Sequence, residues 1–122
     1  MTILLVDDSE DCIATMDLAL QTVPGIVVRP SHSAEAALMA LERDTVSAVI
    51  TDVHLPEMTG LELVARIRED PRFRSLPILV VSADTDPSTP ARALASGANA
   101  YFAKPFSPSA MRKKLEELLH AS

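Results

Sequence analysis

The chain has 122 residues, of which 48% are hydrophobic and 23% charged, and it carries a net charge of −6. Its length and composition fit one globular domain with a proper core. The acidic balance argues against general nucleic-acid binding, and no apolar run approaches the ~20 residues of a membrane span. With Cys12 as the only cysteine, no internal disulfide is possible and the cytoplasm is the expected setting. We predict one compact domain over residues 1–122.

In the first half of the chain, strand-like apolar runs alternate with stretches of helical periodicity. Ser9 and Ser33 suit the N-cap position of helices, and the Pro24-Gly25 pair stops the first helix. Arg29 and Pro30 follow the second strand and suit a sheet edge. The predicted elements are strands at 2–6 and 26–28, a helix carrying Ile13, Met16, Leu20 and Val23, and a helix carrying Ala34, Ala37, Leu38 and Leu41.

A buried strand in the middle of the chain ends on a carboxylate. Ala48, Val49 and Ile50 form a short apolar run, which is typical of a strand covered on both faces. Asp52 closes the run, so its side chain should emerge at the carboxyl end of a parallel strand. In open α/β sheets that is the edge where ligands bind. Taken alone, an aspartate in this place more often caps a turn, and it is the polar residues at the other strand ends that favour a site.

The second half of the chain repeats the alternation of helix and strand. Thr59 and Glu62 form a capping box for the third helix, which Asp70-Pro71 ends. Ser107 caps the last helix, with Pro108 in its first turn. The other predicted elements are a strand at 77–81, a short helix at 91–95 closed by Gly97, an edge strand at 98–102, and the inward residues Met111, Leu115, Leu118 and Leu119 of the last helix.

The five alternations of strand and helix predict a parallel sheet with helices on both faces. Four of the five strands end in polar residues, namely Asp7-Asp8, Asp52, Ser82 and Lys104. In a parallel sheet these ends share one edge, so the residues should converge. Two close carboxylates repel by about 4 kcal/mol at an effective dielectric constant of ~20, and such a cluster is normally retained to hold a cation. Oxygen ligands without a His or Cys cluster favour Mg²⁺.

The remaining polar groups at this edge suit a phosphoryl group. Lys104 offers a positive charge and Ser82 a hydroxyl donor. The chain has only three glycines and no P-loop or dinucleotide-binding fingerprint, so the phosphoryl group is not expected to remain on a cradled nucleotide. A carboxylate can act as a nucleophile and form an aspartyl-phosphate. Asp52 is the candidate for that role.

These features together resemble the receiver domain of two-component response regulators. The resemblance covers essentially the whole chain. Each of its features is weak alone, but their occurrence together in this order is specific. They are Asp7-Asp8, Asp52, Pro56 and Gly60, Ser82-Ala83, Tyr101, and Lys104-Pro105-Phe106. The resemblance implies a flavodoxin-like, doubly wound sheet of five parallel strands in the order 2-1-3-4-5.

The resemblance also implies a function, that of a phosphoacceptor switch in a phosphorelay. A phosphohistidine on a partner histidine kinase or histidine phosphotransfer protein would donate its phosphoryl group to Asp52. The chain would catalyse only its own phosphoryl transfer and autodephosphorylation, and would signal by contact with a downstream protein that the sequence does not identify. It would be a monomer or a phosphorylation-dependent dimer, with no direct nucleic-acid binding and no membrane insertion.

The implied roles of the site residues are specific. Asp8, Asp52 and the main-chain carbonyl of His54 would hold Mg²⁺, with Asp7 reaching it through water. The phosphoryl oxygens would be bound by Ser82 and Lys104.

Further implied features concern the switch and its timing. Ser82 and Tyr101 would form the switch, with Tyr101 turning from exposed to buried as Ser82 moves inward. The Lys104-Pro105 peptide would be cis. His54 and Asp84 should flank the mouth through which water reaches the phosphoryl group, and would influence its lifetime if they meet.

Three alternative functions remain open from the sequence. One is a receiver-like interaction module that works without phosphorylation, against which the complete set of site residues counts. A second is a phosphohydrolase with an aspartyl nucleophile, which would need a second acid where this chain has His54. A third is a flavodoxin-like cofactor binder, which the missing phosphate loop and the aromatic content of 3% disfavour.

Overall fold

The computed structural model describes residues 1–120, which form one five-stranded parallel sheet with helices on both faces. The strand order β2-β1-β3-β4-β5 confirms the predicted fold class and topology. The strands are β1 Thr2–Val6, β2 Val27–Ser31, β3 Ala48–Asp52, β4 Ile78–Ser82 and β5 Ala100–Ala103. The helices are α1 Glu10–Leu20, α2 Ala34–Arg43, α3 Gly60–Glu69, α4 Thr89–Ser96 and α5 Pro108–His120, with a 3₁₀ turn at Pro71–Phe73.

Two apolar clusters, one on each face of the sheet, form the core. Leu4 and Val6 of β1 point to one face, where α2, α3 and α4 cover them, while Ile3 and Leu5 point to the other, beneath α1 and α5. Successive strand residues point to opposite faces, so a strand buried on both sides must be apolar throughout. Among residues 1–120, no helix combines the length and the apolar character that crossing a bilayer requires.

All four predicted N-caps are present, including that of Ser107, whose Oγ accepts the Ala110 N–H at 3.3 Å. The Ser9, Ser33 and Thr59 side chains accept hydrogen bonds from the main-chain N–H groups three residues ahead. Each bond satisfies one of the N–H groups that a helix start leaves without an intrahelical partner. These caps set the start of the helices that follow β1, β2 and β3, and therefore the length of the loops at the candidate site.

The predicted end of the second strand was wrong. Instead of stopping at residue 28, β2 continues through Arg29 and Pro30 to Ser31, with Pro30 opposite Leu5 of β1. Proline lacks the N–H that a central strand needs. Strand β2 pairs only with β1 and lies at the sheet edge. Its outer side has no neighbouring strand to which a main-chain N–H would donate, so the proline is accommodated.

The predicted end of the first helix was also wrong. Helix α1 stops at Leu20, before Val23, because the chain turns there: the Val23 N–H donates to the Leu20 carbonyl at 3.0 Å. Val23 is nevertheless buried. Val23 thus continues the apolar stripe of the helix from within the turn. Its spacing from Leu20 therefore led to the prediction that the helix extends three residues further than it does.

The boundaries of β4, α4 and β5 differ from the predicted ones by one or two residues. Asn99 makes a strand-like pair with Ile78 through its main-chain N–H and side-chain oxygen, both at 2.8 Å, so the regular strand β5 begins only at Ala100. Helix α4 begins at Thr89, two residues before the predicted start. Strand β4 includes Ser82, which places that hydroxyl inside the sheet edge.

Candidate functional site

Four strands deliver polar side chains to one edge of the sheet. Asp52 ends β3, which lies between β1 and β4. Asp7 and Asp8 follow β1, Ser82 ends β4, and Lys104 follows β5. The carboxyl ends of parallel strands meet at this edge, as the sequence analysis expected. Asp7, Asp52 and Ser82 are all buried, whereas Asp8 is exposed.

Lys104 reaches over the end of β4 and contacts two carboxylates. Its Nζ donates to Asp52 Oδ2 at 3.0 Å and to Asp7 Oδ2 at 3.3 Å. Burial disfavours the charged amine, but the hydrogen bond and charge of Asp52, together with Asp7, outweigh it and raise the pKa of Lys104. The ammonium group is therefore protonated at any physiological pH and holds the two carboxylates at a fixed separation.

Asp7 lies deeper in the site than its sequence neighbour Asp8. Its Oδ1 accepts the Ser9 N–H at 2.9 Å. Burial raises the pKa of Asp7 and the negative charge of Asp52 adds to this, although the Ser9 N–H and Lys104 act in the opposite direction. The acidic pair thus splits into one carboxylate fixed in the site and one facing solvent.

The loop after β3 holds Asp52 against the start of α3. Asp52 Oδ1 accepts the His54 N–H at 3.2 Å, and the Gly60 N–H donates to the Val53 carbonyl at 2.7 Å. A Cβ at Gly60 would lie 1.8 Å from the Asp52 carbonyl oxygen. Only glycine can therefore occupy this position without displacing the strand end. The sequence analysis singled out Gly60 as a feature but did not foresee this contact.

The donor set at this edge fits a hard divalent cation. Lys104 contacts the carboxylates of Asp7 and Asp52, and Asp8 adds a third, solvent-facing carboxylate at the same edge, so the negative charge exceeds the positive charge and a cation could balance it. Within residues 1–120, no three Asp, Glu, His or Cys side chains are grouped closely enough to hold a metal ion by themselves. Mg²⁺ commonly takes one or two carboxylates and completes its shell with water and phosphate oxygens. A site of two carboxylates and the His54 carbonyl would match this coordination preference.

Ser82 and Tyr101 lie on adjacent strands beside the carboxylates. Ser82 is fully buried, and its Oγ accepts the Asp84 N–H at 3.0 Å. Tyr101 is half-buried and packs against the cluster that α2, α3 and α4 cover. Burial raises the pKa of Tyr101, the Ser82 hydroxyl lowers it, and the charges of Asp84 and Asp52 raise it further.

His54 and Asp84 meet across the mouth of the site. His54 Nε2 lies 3.1 Å from Asp84 Oδ2, which joins the β3–α3 loop to the β4–α4 loop. The His54 side chain is 68% exposed and that of Asp84 20% exposed. The structure thus brings together the two residues that were expected to flank this mouth.

The comparisons with known proteins agree on one family. The response regulator receiver domain family matches residues 3–116. The chain belongs to this family. A chemotaxis protein CheY homologue of Campylobacter jejuni is 33% identical over 120 residues, covering 98% of this chain and 92% of that protein.

Solved structures show the same relationship. A candidate response regulator of Chloroflexus aurantiacus has a TM-score of 0.88 and 38% identity, with 97% of this chain and 96% of that chain covered. The chemotaxis response regulator CheY4 of Vibrio cholerae has a TM-score of 0.85 and 30% identity, with 96% and 97% covered. The resemblance drawn from the sequence motifs is therefore confirmed, and the chain is a receiver domain of two-component signalling.

One neighbour of the receiver site was missed by the sequence analysis. The Cys12 side chain, which the sequence analysis used only to exclude a disulfide, lies 3.6 Å from Lys104 Nζ through its Sγ and is half-buried. It lines a cavity of about 290 Å³ between α1 and the β5–α5 loop, together with Met16 and Phe106. Its place in the first turn of α1, just after the acidic pair, was the available signal. The Lys104–Pro105 peptide bond that shapes this loop is cis.

Proposed function

We propose that the protein is a phosphoacceptor switch that receives a phosphoryl group on Asp52 from a phosphohistidine of a partner protein. The observation that carries the proposal is the 3.0 Å contact between Lys104 Nζ and Asp52 Oδ2, at the sheet edge where the neighbouring strand β4 ends in Ser82. A nucleophilic carboxylate beside a fixed cation and a hydroxyl donor suits transfer of a group whose oxygens carry negative charge.

In the transfer, an Asp52 oxygen forms a bond to phosphorus as the phosphorus–nitrogen bond of the donor breaks. The electron pair of that bond returns to the imidazole of the donor. Lys104 neutralises charge on the phosphoryl oxygens, and the Ser82 hydroxyl donates a hydrogen bond to one of them. Bound Mg²⁺, held by Asp8, Asp52 and the His54 carbonyl with Asp7 through water, would supply further charge stabilisation. Attack of water on the aspartyl-phosphate releases phosphate and restores Asp52, so the chain turns over no other substrate.

The switch follows from what the phosphoryl group offers to Ser82. It is a strong hydrogen-bond acceptor, and it favours the arrangement in which Ser82 and the loop after β4 move toward Asp52. Tyr101, which packs beside Ser82, completes that arrangement. Because the phosphoryl group interacts differently with the two arrangements, it shifts their populations.

The partners we propose are proteins. The phosphoryl donor is a histidine kinase or a histidine phosphotransfer protein in the cytoplasm. The output is contact with a downstream protein, by a monomer or by a dimer that forms on phosphorylation. Neither nucleic acid nor membrane insertion has a part in this proposal.

The test is phosphorylation by acetyl phosphate, followed by intact-protein mass spectrometry. We expect one phosphoryl adduct that requires Mg²⁺, no adduct with Asp52→Asn, and a strongly reduced yield with Asp8→Ala. Asp17→Asn, which changes a carboxylate on α1 away from the site, is the matched control and should be labelled like the parent. A parent protein without an adduct would instead favour an interaction module that works without phosphorylation. Full labelling of Asp52→Asn would exclude Asp52 as the acceptor.

A further inference from the structure

The surface between α2 and α3 contains two cavities. One, of about 600 Å³, opens beside the β3–α3 loop and is lined in part by Met58. The other, of about 400 Å³, extends to the 3₁₀ turn and is lined in part by Phe73. Glu35, Leu38 and Arg66 line both cavities, so the two adjoin and form one depression. We call it the α2–α3 groove.

The floor of the α2–α3 groove is apolar. Leu38, Met58 and Phe73 are half-buried, and each packs on one side against the core cluster beneath α2, α3 and α4. Met39, which lines the cavity next to the 3₁₀ turn, is 47% exposed. A partner that covers these side chains removes apolar surface from water, which favours association.

The length of the groove and the helices beside it suit a helical partner. Glu35 and Glu42, seven residues apart on α2, both line the groove, which therefore extends over roughly 10 Å along the helix. Two turns of a partner helix fit this length, with apolar anchors at positions i, i+4 and i+7. An extended peptide would find no main-chain partners here, because helices α2 and α3 bond their main-chain groups internally.

The charges at the rim of the groove are balanced at one end only. Next to the 3₁₀ turn, Arg72 pairs with both Glu42, at 2.6 Å, and Asp70, at 2.7 Å. At the other end, beside the β3–α3 loop, Glu35 and Glu57 are exposed, and neither has an ion-pair partner within residues 1–120. The negative charge that remains for a partner is therefore at the loop end of the groove.

Glu57 is held at the rim by a strained turn. Its φ is 67°, in the left-handed region that residues with a side chain rarely adopt. The Met58 N–H donates to the Pro56 carbonyl at 2.8 Å, which closes a three-residue turn around Glu57. The turn places an exposed carboxylate next to an apolar side chain that belongs to the floor. Strain of this kind persists where a particular arrangement is required.

We propose that the α2–α3 groove binds a basic amphipathic helix of a partner protein. Apolar side chains of that helix pack on Leu38 and Met58, and its basic side chains pair with Glu35 and Glu57. The net charge of −6 favours the approach of a basic partner. This inference goes beyond the proposed function, because it concerns the helices on one face of the sheet and requires no phosphoryl group.

Arg66 gives the bound helix a defined direction. It lines both cavities, is exposed, and forms no ion pair among the residues that the structure describes. An acidic residue of the partner pairs with it, while the basic residues of the partner lie toward the β3–α3 loop. A helix bound in the reverse direction would place like charges opposite each other, which opposes binding.

The test uses two synthetic helical peptides, each roughly three turns long, with leucines at i, i+4 and i+7. One carries lysines beside the leucines and the other carries glutamates at the same positions. Fluorescence anisotropy measures their binding to the whole chain. We expect saturable binding of the basic peptide, weakened by added salt, and binding of the acidic peptide that is weaker by at least about tenfold.

The methionines of the chain locate the bound peptide. Met39 and Met58 line the α2–α3 groove, whereas Met16 and Met111 are buried in the core cluster on the other face of the sheet. In the chain labelled with ¹³C at its methionine methyl groups, the basic peptide should shift the resonances of Met39 and Met58 and leave those of Met16 and Met111 in place. Shifts confined to the other methionines would place the peptide elsewhere and overturn the proposal.

Charge reversal tests the assigned contacts. The double variant Glu35→Lys with Glu57→Lys should lose the basic peptide and bind the acidic one. The control is Glu69→Lys with Glu116→Lys, which makes the same change of charge at exposed positions outside the groove and should keep the parent preference. Met39→Glu, at an exposed position, should weaken binding of the basic peptide without unfolding the chain.

Four outcomes would overturn the proposal. They are no saturable binding of the basic peptide, equal binding of the acidic peptide, a reversed preference in the control variant, or a dimer of the parent chain that Met39→Glu abolishes. The last result would assign the groove to a second copy of this chain. None of these measurements uses a phosphoryl group, so their failure would leave the proposed function untouched.

Discussion

At the scale of single residues, Lys104 determines the electrostatics of the site. Its ammonium group lies between Asp7 and Asp52, at 3.3 and 3.0 Å from their Oδ2 atoms. Without it, two buried carboxylates would face each other, and burying such charges without a partner is costly. In the proposed transfer, the same ammonium group would bind the phosphoryl oxygens. One side chain would then stabilise the carboxylates before transfer and the phosphoryl oxygens after it.

Gly60 gives a prediction about stability at this scale. A methyl group at this position would lie 1.8 Å from the Asp52 carbonyl oxygen, so strand or helix must shift. We expect Gly60→Ala to lower the free energy of unfolding by about 3 kcal/mol, the upper part of the usual range for overpacking. Urea unfolding followed by circular dichroism measures this.

Gly25→Ala is the matched control for that variant. Gly25 has φ 78°, but a Cβ there would meet no atom within 4 Å, so only the left-handed backbone is strained. A loss of about 1 kcal/mol is expected from that strain. Equal losses in the two variants would show that contact with the Asp52 carbonyl is not what requires glycine at position 60.

The polar residues of the site could largely be predicted from the sequence, but their contacts could not. Asp52, Ser82 and Lys104 were found because each follows an apolar run, and such a pattern depends only on local sequence. The contacts of Cys12 with Lys104 and of Gly60 with the Asp52 carbonyl depend on how separate elements pack. No local pattern encodes a distance of that kind.

At the scale of secondary-structure elements, Arg68 joins the parts of the chain that surround α4. It is half-buried on α3 and donates to the carbonyls of Gly97 at 2.9 Å and Phe73 at 2.7 Å, and to Asn99 Oδ1 at 2.9 Å. Burial lowers the pKa of this arginine. Its planar group satisfies three acceptors from two segments at once, the 3₁₀ turn and the α4–β5 connection, which a lysine cannot do.

Arg68→Lys is therefore expected to lower the free energy of unfolding by about 2 kcal/mol, since acceptors that Arg68 satisfies would lose their donors. Arg66→Lys, an exposed position on the same helix, is the control and should change stability by less than ~0.5 kcal/mol. Chemical denaturation of both variants provides the comparison. If the two substitutions lower the free energy of unfolding equally, the hydrogen bonds of Arg68 do not stabilise the fold in this way.

Element boundaries show where local patterns stop being informative. Val23 keeps the apolar spacing of α1 although it lies in a turn, and Pro30 lies within β2 because that strand is at the edge. In both cases the tertiary position of the residue decides its structure. The start of α4 is a third case, because the Ser88 hydroxyl donates to Asp86 Oδ1 and makes no side-chain cap for the helix.

At the scale of the whole molecule, Tyr101 provides an intrinsic reporter for the proposed switch. The chain contains one tyrosine, Tyr101, and no tryptophan, so its intrinsic fluorescence reports the switch position alone. We expect beryllofluoride with Mg²⁺ to change the emission of Tyr101, because Ser82 moves beside the phenol. Ser82→Ala should weaken that change, while Ser109→Ala, at an exposed position of α5, should leave it intact. Unchanged emission in a parent saturated with beryllofluoride would rule out movement around Tyr101.

The whole fold could be predicted because its alternation is regular. Five apolar runs separated by helical patterns permit a parallel sheet, and the order β2-β1-β3-β4-β5 followed from the resemblance to receiver domains. What could not be predicted is the geometry of the loops at the functional edge of the sheet. Their geometry depends on side chains such as Asp84 and Asp86 bonding to the main chain, and many sequences can form such turns.

The central claim is that Asp52 itself carries the phosphoryl group. The most direct measurement is borohydride reduction of the protein after incubation with acetyl phosphate and Mg²⁺, followed by peptide mass mapping. Hydride reduces an aspartyl-phosphate to homoserine and releases phosphate, so the modified residue is marked permanently. We expect homoserine at position 52 alone, in an amount that matches the phosphoryl adduct of the intact protein. Homoserine at position 7 or 8, or a phosphoryl adduct that leaves position 52 unreduced, would contradict the account.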